Sequence, residues 1–429
     1  MTSGPTDATT RDAPTRGLSL APFRALRPDV DDVRLGRLLS PPYDVIDAAT
    51  RRRLLDGDPD NVVAVVLPDP TPTGYAEASE LLRRWVKSGL FAVDDAPALY
   101  VYEMNDGNGS VTRGLMGAVE LRDPDDGVIL PHENTMAGPV ADRLAVMTAT
   151  DADLEPIYLV YDGGGAASQV VRDVDPSRST AEATTPDGLV HRLWTVTDPA
   201  VHEAVAADLG TRRALIADGH HRYATYRERQ RLRRDIDGPG PWDRGLALLV
   251  DSSAYGPQVH AIHRVINGLP LHEALERLRG STTIEDRHDT DPQSVLAAAD
   301  SAPGFAVVLT DGDRTVLVTD PDGTLAAAAI RADEPAALAD LDVTVVHRGL
   351  VERTLGLRDD VDSVGYAHSV TEAIEAGRAA GGFALLLRPT PVAAVAAVAA
   401  HGARMPRKST LFTPKPASGL VMRSLSVLP

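Results

Sequence analysis

At 429 residues with a formal net charge of −18, the chain is too long for one ordinary domain. It is also too acidic for a broad nucleic-acid footprint, which needs a clustered positive surface. Hydrophobic content of 43% with 24% charged residues is that of a soluble globular protein, and no window approaches the apolar run of a membrane span. The absence of cysteine excludes disulfides, thiolate chemistry and Cys-ligated metal centres, and fits a cytoplasmic setting.

Residues 1–17 have no apolar h-region and read as a disordered tail, not a signal peptide. Ser40-Pro41-Pro42 is expected to be extended, because the residue before proline is pushed out of the helical region. Asp47 then caps a helix over Ala48–Leu55. The β-branched run "NVVAVVLP" reads as the end of a strand, and a helix follows over Tyr75–Ser88. "ALYVYEM" and "RGLMGAVEL" flank the turn "NDGNGS" and predict a hairpin. "GVILPHENTMAGPVADRLAVMTAT" gives strand, polar loop and helix. "EPIYLVYDG" and "HRLWTVT" are strands, and "DPAVHEAVAADLG" is a helix closed by Gly210. "RALIADG" runs as a strand into the long helix "HHRYATYRERQRLRRD", which "GPGPW" (238–242) breaks. Strands and helices alternate from there on. The fold class is α+β (mixed α/β), with one domain over 18–238 and a second mixed α/β domain over 239–429.

The strand–Asp-Gly–helix order at 214–222 carries the first chemical cluster. Gly219 permits the tight turn, and the first helical N–H groups then favour an anion. His220, His221 and Arg222 add cationic groups where a structural helix prefers acids. Adjacent residues diverge by about 100° on a helix, so the two histidines do not converge on one metal ion. The bland alternative makes Asp218 a helix cap and the histidines surface groups.

Three further clusters lie elsewhere. His132, Glu133, Asn134 and Thr135 sit in a loop before Asp142 and Arg143. Glu133 reads as a general base or magnesium ligand, or else the loop is a capping network with an Asp142–Arg143 pair. Tyr43 and Asp44 follow two stiffening prolines, either positioning a substrate or forming a plain turn. Only three lysines occur among 43 basic residues, and Lys408 and Lys415 both lie within "MPRKSTLFTPKPASGL". That proline-bounded strip is no regular helix, and it lacks P-loop spacing. His263 and Arg264 at a strand end offer a weaker version of the same logic.

"ADGHHRYATY" resembles the signature of the ParB/sulfiredoxin-like superfamily, where a Gly-containing turn with a His/Arg pair opens a helix and holds nucleotide phosphates. Sulfiredoxins carry a catalytic cysteine where this chain has His220, so the free serine kinases of that superfamily are the closer chemical match. "PPYDVI", "PHENT", "IADGHHRYAT" and "MPRKSTLFTPKPASGLV" together resemble a bacterial and archaeal family of unknown function, over nearly the whole chain after the tail. The resemblance implies a ParB/sulfiredoxin-like nucleotide-binding fold for the first domain. The phosphate-binding set becomes Asp218, Gly219, His221, Arg222 and Lys415, and the catalytic set Glu133, His220 and Lys408. The substrate set is Tyr43, Asp44, His132, Asn134, Thr135 and Arg264, with Glu133 also the metal ligand. The expected activity is a phosphotransferase using ATP or ADP with magnesium on a small hydroxylated metabolite, L-serine or O-phosphoserine being the single best choice. A phosphoserine phosphatase and a non-catalytic nucleotide-binding regulator are the alternatives. Nucleic acid and membrane are not expected partners.

Overall fold

The computed structural model describes residues 17–287, 290–331, 334–339, 341–360, 362–406 and 408–426. Of the expected tail, residues 1–16 lie outside the described residues, as does position 407 of the lysine segment. Gly17 is tied down, its N–H bonded to the Gly210 carbonyl at 2.8 Å.

Among the described residues, mixed α/β architecture is built on two sheets. The larger has nine strands in the spatial order Ile129–Leu130, Ala214–Asp218, Ile157–Tyr161, Arg244–Asp251, Val111–Glu120, Leu99–Asn105, Val190–Val196, Ala181–Thr184, with Leu20–Ala21 paired beside Val111–Glu120. Its centre is the hairpin read from "NDGNGS", where Asp106 Oδ1 accepts from the N–H groups of Asn108 and Ser110. Burial of alternate faces places Tyr100, Tyr102 and Tyr158 in one core and Leu99, Val101 and Leu159 in another. Helices Ala137–Thr150 and His220–Asp237 pack against each other beside this sheet. The smaller sheet is antiparallel, in the order Thr283–Asp286, Thr315–Thr319, Ala306–Thr310, Phe383–Leu386, His263–Ile266, Val364–Ala367.

Two expectations are corrected here. "NVVAVVLP" is a short helix, Val63–Val66, not a strand. Asn61 decides this locally. Its Oδ1 accepts from Val63 N–H, and its Nδ2 donates to the carbonyls of Arg37 and Leu39. Val62, Val63, Val65 and Val66 are all buried there, so tertiary packing overrides β-propensity. The second correction concerns the boundary at 238. Gly238 does end the long helix, but the next strand, Arg244–Asp251, inserts between Val111–Glu120 and Ile157–Tyr161 of the first sheet. The chain passes to the second sheet only after Asp251. Its last segment then returns to the first body, with bridges Ser40–Ser418 and Leu26–Met422 and the pairing of Arg423–Ser424 with Ala152–Asp153.

Candidate functional site

The Ala214–Asp218 strand delivers its chain to a left-handed turn at Gly219 (φ 90°), and the helix begins at His220. The N–H groups of residues 220–222 donate to no protein acceptor among the described residues. A side chain at 219 would be strained at that φ, and its Cβ would lie 2.9 Å from Arg222 Nε. Arg222 thus sits directly beneath the turn. It is 1% exposed and bonded to Asp218 and to the Pro156 carbonyl. Burial works against its charge, but Asp218, Glu155 and Asp44 outweigh that and raise its pKa. It holds the turn and supplies positive potential from below.

The histidines differ from the sequence expectation. His220 is buried, and its Nε2 accepts from His132 N–H at 3.2 Å, the two rings meeting edge to face at 4.5 Å. His221 Nε2 accepts from Met136 N–H at 3.1 Å. Each uses Nε2 as an acceptor, which a protonated imidazole cannot do. Burial also lowers all three pKa values, that of His132 to about 4. They are neutral braces of the 131–136 loop, so neither cationic phosphate binding by His221 nor proton exchange at His220 Nε2 is available. His132 turns its Nε2 to Thr410 Oγ1 at 3.0 Å.

Positive charge comes instead from the far end of the chain. Lys415 Nζ stands 2.7 Å from Asp218 Oδ1 and 2.9 Å from Asp44 Oδ2. Burial opposes the lysine's charge, yet the two carboxylates raise its pKa. Burial likewise opposes the charge of Asp44, and Lys415 with Arg222 reverses the balance and lowers its pKa. Lys408 is exposed, in a left-handed conformation (φ 55°), within electrostatic reach of Glu133, Asp44 and His221. Glu133 is half-buried, and desolvation pushes its pKa up to about 7 against the pull of Lys408 and of Ser409 N–H. A carboxyl near neutrality beside two ammonium groups is a suitable proton acceptor at physiological pH.

The 40–44 segment enters by a different route. Tyr43 N–H donates to Glu155 Oε1 at 3.0 Å, which also accepts from Ser418 Oγ at 2.8 Å. The Tyr43 ring lies 4.3 Å from the Arg143 guanidinium, and burial raises its hydroxyl to about 12. The capping network weighed for the 132–135 loop is half realised. Asp142 and Arg143 do pair, at 2.6 Å, but Asn134 and Thr135 are exposed and cap nothing. Asp218 is no helix cap either, being held in ion pairs. Arg264 is not at the surface of the site. It is fully buried, donating to the carbonyls of Ile262 and Lys408 and to His347 Nε2 at 2.7 Å, so it fixes the lysine loop from below.

Among the described residues, no group of three or more His, Asp or Glu converges to hold a metal. The Lys415 ammonium fills the point where Asp44 and Asp218 meet. The protein side chains alone therefore do not fit a resident magnesium ion. No helix among the described residues is long and apolar enough to cross a membrane.

The family model described as "Protein of unknown function (DUF1015)" matches residues 20–344, most of the chain. The chain belongs to the DUF1015 family. No curated protein matches it. Among solved structures, a free serine kinase variant in complex with ADP is similar at 12% identity, with 70% of this chain and 89% of that chain covered and a TM-score of 0.37. A conserved hypothetical protein from Pyrococcus furiosus is similar at 13% identity, with 68% and 92% covered and a TM-score of 0.33. SbnI with C-terminal truncation from Staphylococcus aureus is similar at 13% identity, with 73% and 88% covered and a TM-score of 0.37.

Sequence reading overlooked two residues of this DUF1015 chain that the geometry brings forward. Glu155 couples Tyr43 to Ser418 across 112 and 263 residues of sequence, and no local pattern signals that. Arg404 donates to the Pro131 carbonyl at 2.9 Å and so borders the Glu133 loop. Its one signal was its place within a few residues of the lysine segment.

Proposed function

We propose that this site binds a nucleotide at the Gly219 turn and transfers a phosphoryl group from it to the hydroxyl of a small metabolite, with L-serine the first choice. The reading includes a ParB/sulfiredoxin-like ancestry for the first body. The observation that carries it is Glu133, which faces the same opening as the start of the His220 helix and lies within electrostatic reach of Lys408, Lys415 and Asp218. Phosphoryl transfer demands chiefly positioning and charge neutralisation. The free N–H groups at 220–222 receive phosphate oxygens, with Arg222 adding potential from beneath. Lys408 and Lys415 neutralise charge on the transferring and leaving oxygens. Glu133 takes the acceptor's hydroxyl proton as its oxygen bonds the terminal phosphorus and the bond to the leaving nucleotide breaks. Magnesium, in this reading, arrives with the nucleotide.

A pocket of about 600 Å³ beside Lys415, walled by Leu39, Pro42, Val45, Leu54 and Leu411, provides an apolar berth of nucleoside size. The test is an assay of the full chain with ATP or ADP and L-serine. Nucleotide-dependent phosphoserine formation, abolished in Glu133→Gln with nucleotide binding retained, supports the proposal. Phosphate release from phosphoserine without nucleotide replaces it by the phosphatase reading. Nucleotide binding without turnover, indifferent to Glu133→Gln, replaces it by the regulator reading.

A further inference from the structure

A second opening, of about 620 Å³, lies between the 131–135 loop and the outer face of the His220–Asp237 helix. Glu133, Asn134, Thr135 and His220 form one side, so it reaches the same carboxyl and the same helix start, and it shares no lining residue with the apolar pocket. Four arginines line it. Three are neutralised within the protein: Arg227 by Asp123 at 2.8 Å, Arg231 by Glu228 at 2.7 Å and Arg234 by Asp243 at 2.5 Å. The fourth, Arg404, pairs with no carboxylate among the described residues.

Its bonding is one-sided. All three acceptors, the carbonyls of Pro131, Gly402 and Ala403, are on Nη1. Nη2 and Nε have no protein acceptor among the described residues, and neither is sealed from solvent. A half-buried guanidinium with a fixed inner edge and a free outer edge is built to take a planar, two-oxygen anion. Burial also lowers the Arg404 pKa, and the attraction of Asp125, which forms no ion pair with it, only partly offsets that.

We infer that this cleft receives the phosphoryl acceptor and that Arg404 binds a carboxylate on it, so that the acceptor class is the hydroxy acids. The inference rests on Glu133 acting as the base of the proposed reaction. Its carboxylate arm binds Arg404 through two parallel N–H···O bonds, and the hydroxyl is thereby turned toward Glu133, two residues along from the Pro131 carbonyl that Arg404 also holds.

The test compares L-serine, L-threonine and D-glycerate, each against its amide, which keeps the hydroxyl and loses the carboxylate. Binding to the full-length protein is measured by calorimetry with and without saturating ADP. At least one acid should bind the wild type tenfold or more tightly than its amide. Arg404→Gln should reduce that preference to twofold or less with ADP affinity unchanged, and Arg404→Lys should restore a part of it. Equal binding of every acid and amide by the wild type overturns the inference, as does full preference surviving in Arg404→Gln. Failure of ADP to bind the wild type overturns the nucleotide reading instead, and the arm without ADP still judges the cleft.

Discussion

The backbone N–H of Met136 donates to Nε2 of His221, a contact between residues 85 positions apart that fixes both the loop and the charge of the ring. Because Nε2 accepts, its proton resides on Nδ1 and the ring is neutral. Nitrogen NMR of the histidine side chains should find His221 neutral at pH 6.5, where an unperturbed histidine is about half charged. Replacing His221 by Leu should cost about 1–2 kcal/mol and speed amide exchange at Met136, measured by denaturation and hydrogen exchange.

Glu133 gives a prediction with a defined sign. Its folded pKa of about 7 lies above the ordinary carboxyl value, so the folded protein binds more protons than the unfolded chain between those two values. Stability therefore falls as pH rises through that window. Glu133→Gln should melt higher than the wild type at pH 8 and equally at pH 4, with a gain on the order of 1–3 kcal/mol at pH 8. Phosphoryl transfer should show the opposite slope, rising tenfold per pH unit below about 7 and levelling above it.

Lys415 is predicted to be as structural as it is functional. Lys415→Met leaves Asp44 and Asp218 facing one another without their shared cation. The expected loss is about 2–4 kcal/mol at pH 7 for breaking a largely buried pair. Asp44 has a lowered pKa in the wild type, so its stabilisation is present above the unfolded carboxyl value and is lost as pH falls through the folded one. The variant's deficit should accordingly shrink on acidification, as urea titrations at pH 7 and at about pH 3 would record.

Gly219→Ala combines a left-handed φ with a Cβ pressed on Arg222. It should destabilise the fold by about 1–3 kcal/mol and weaken ADP binding at least tenfold. A Gly238→Ala control, also at positive φ but with open space around its Cβ, should carry the strain without the binding loss.

Local pattern made much of this molecule legible. Asp47 caps its helix through Thr50 N–H as expected, "NDGNGS" closes its hairpin, and Gly219 opens the long helix. These features are decided within a few residues, where propensity and turn chemistry act. The helix at Val63–Val66 was hidden because Asn61 answers to the carbonyls of residues 37 and 39. The histidine charges were hidden for the same reason, since a ring's state depends on which distant N–H it meets. Arg264 has a surface-like sequence setting, and only the packing of His347 and the Lys408 carbonyl around it reveals a fully buried side chain. Residue chemistry thus singled out groups that the fold brings together, and long-range partners decide the contacts each one makes.

The return of the final segment to the first body has a consequence for biogenesis. Arg404, Met405 and Thr410 fasten the 131–135 loop, Lys415 closes the Asp44–Asp218 pair, and Ser418 reaches Glu155. A ribosome that has synthesised the first 400 residues has made every strand of the large sheet, yet the site still lacks both of its lysines. On the proposed reading, ligand capture during synthesis waits for residues 404–418 to emerge and dock. Any event that frees the final segment afterwards would withdraw both lysines and expose Phe412, Leu420, Val421 and Met422, which are buried in the core.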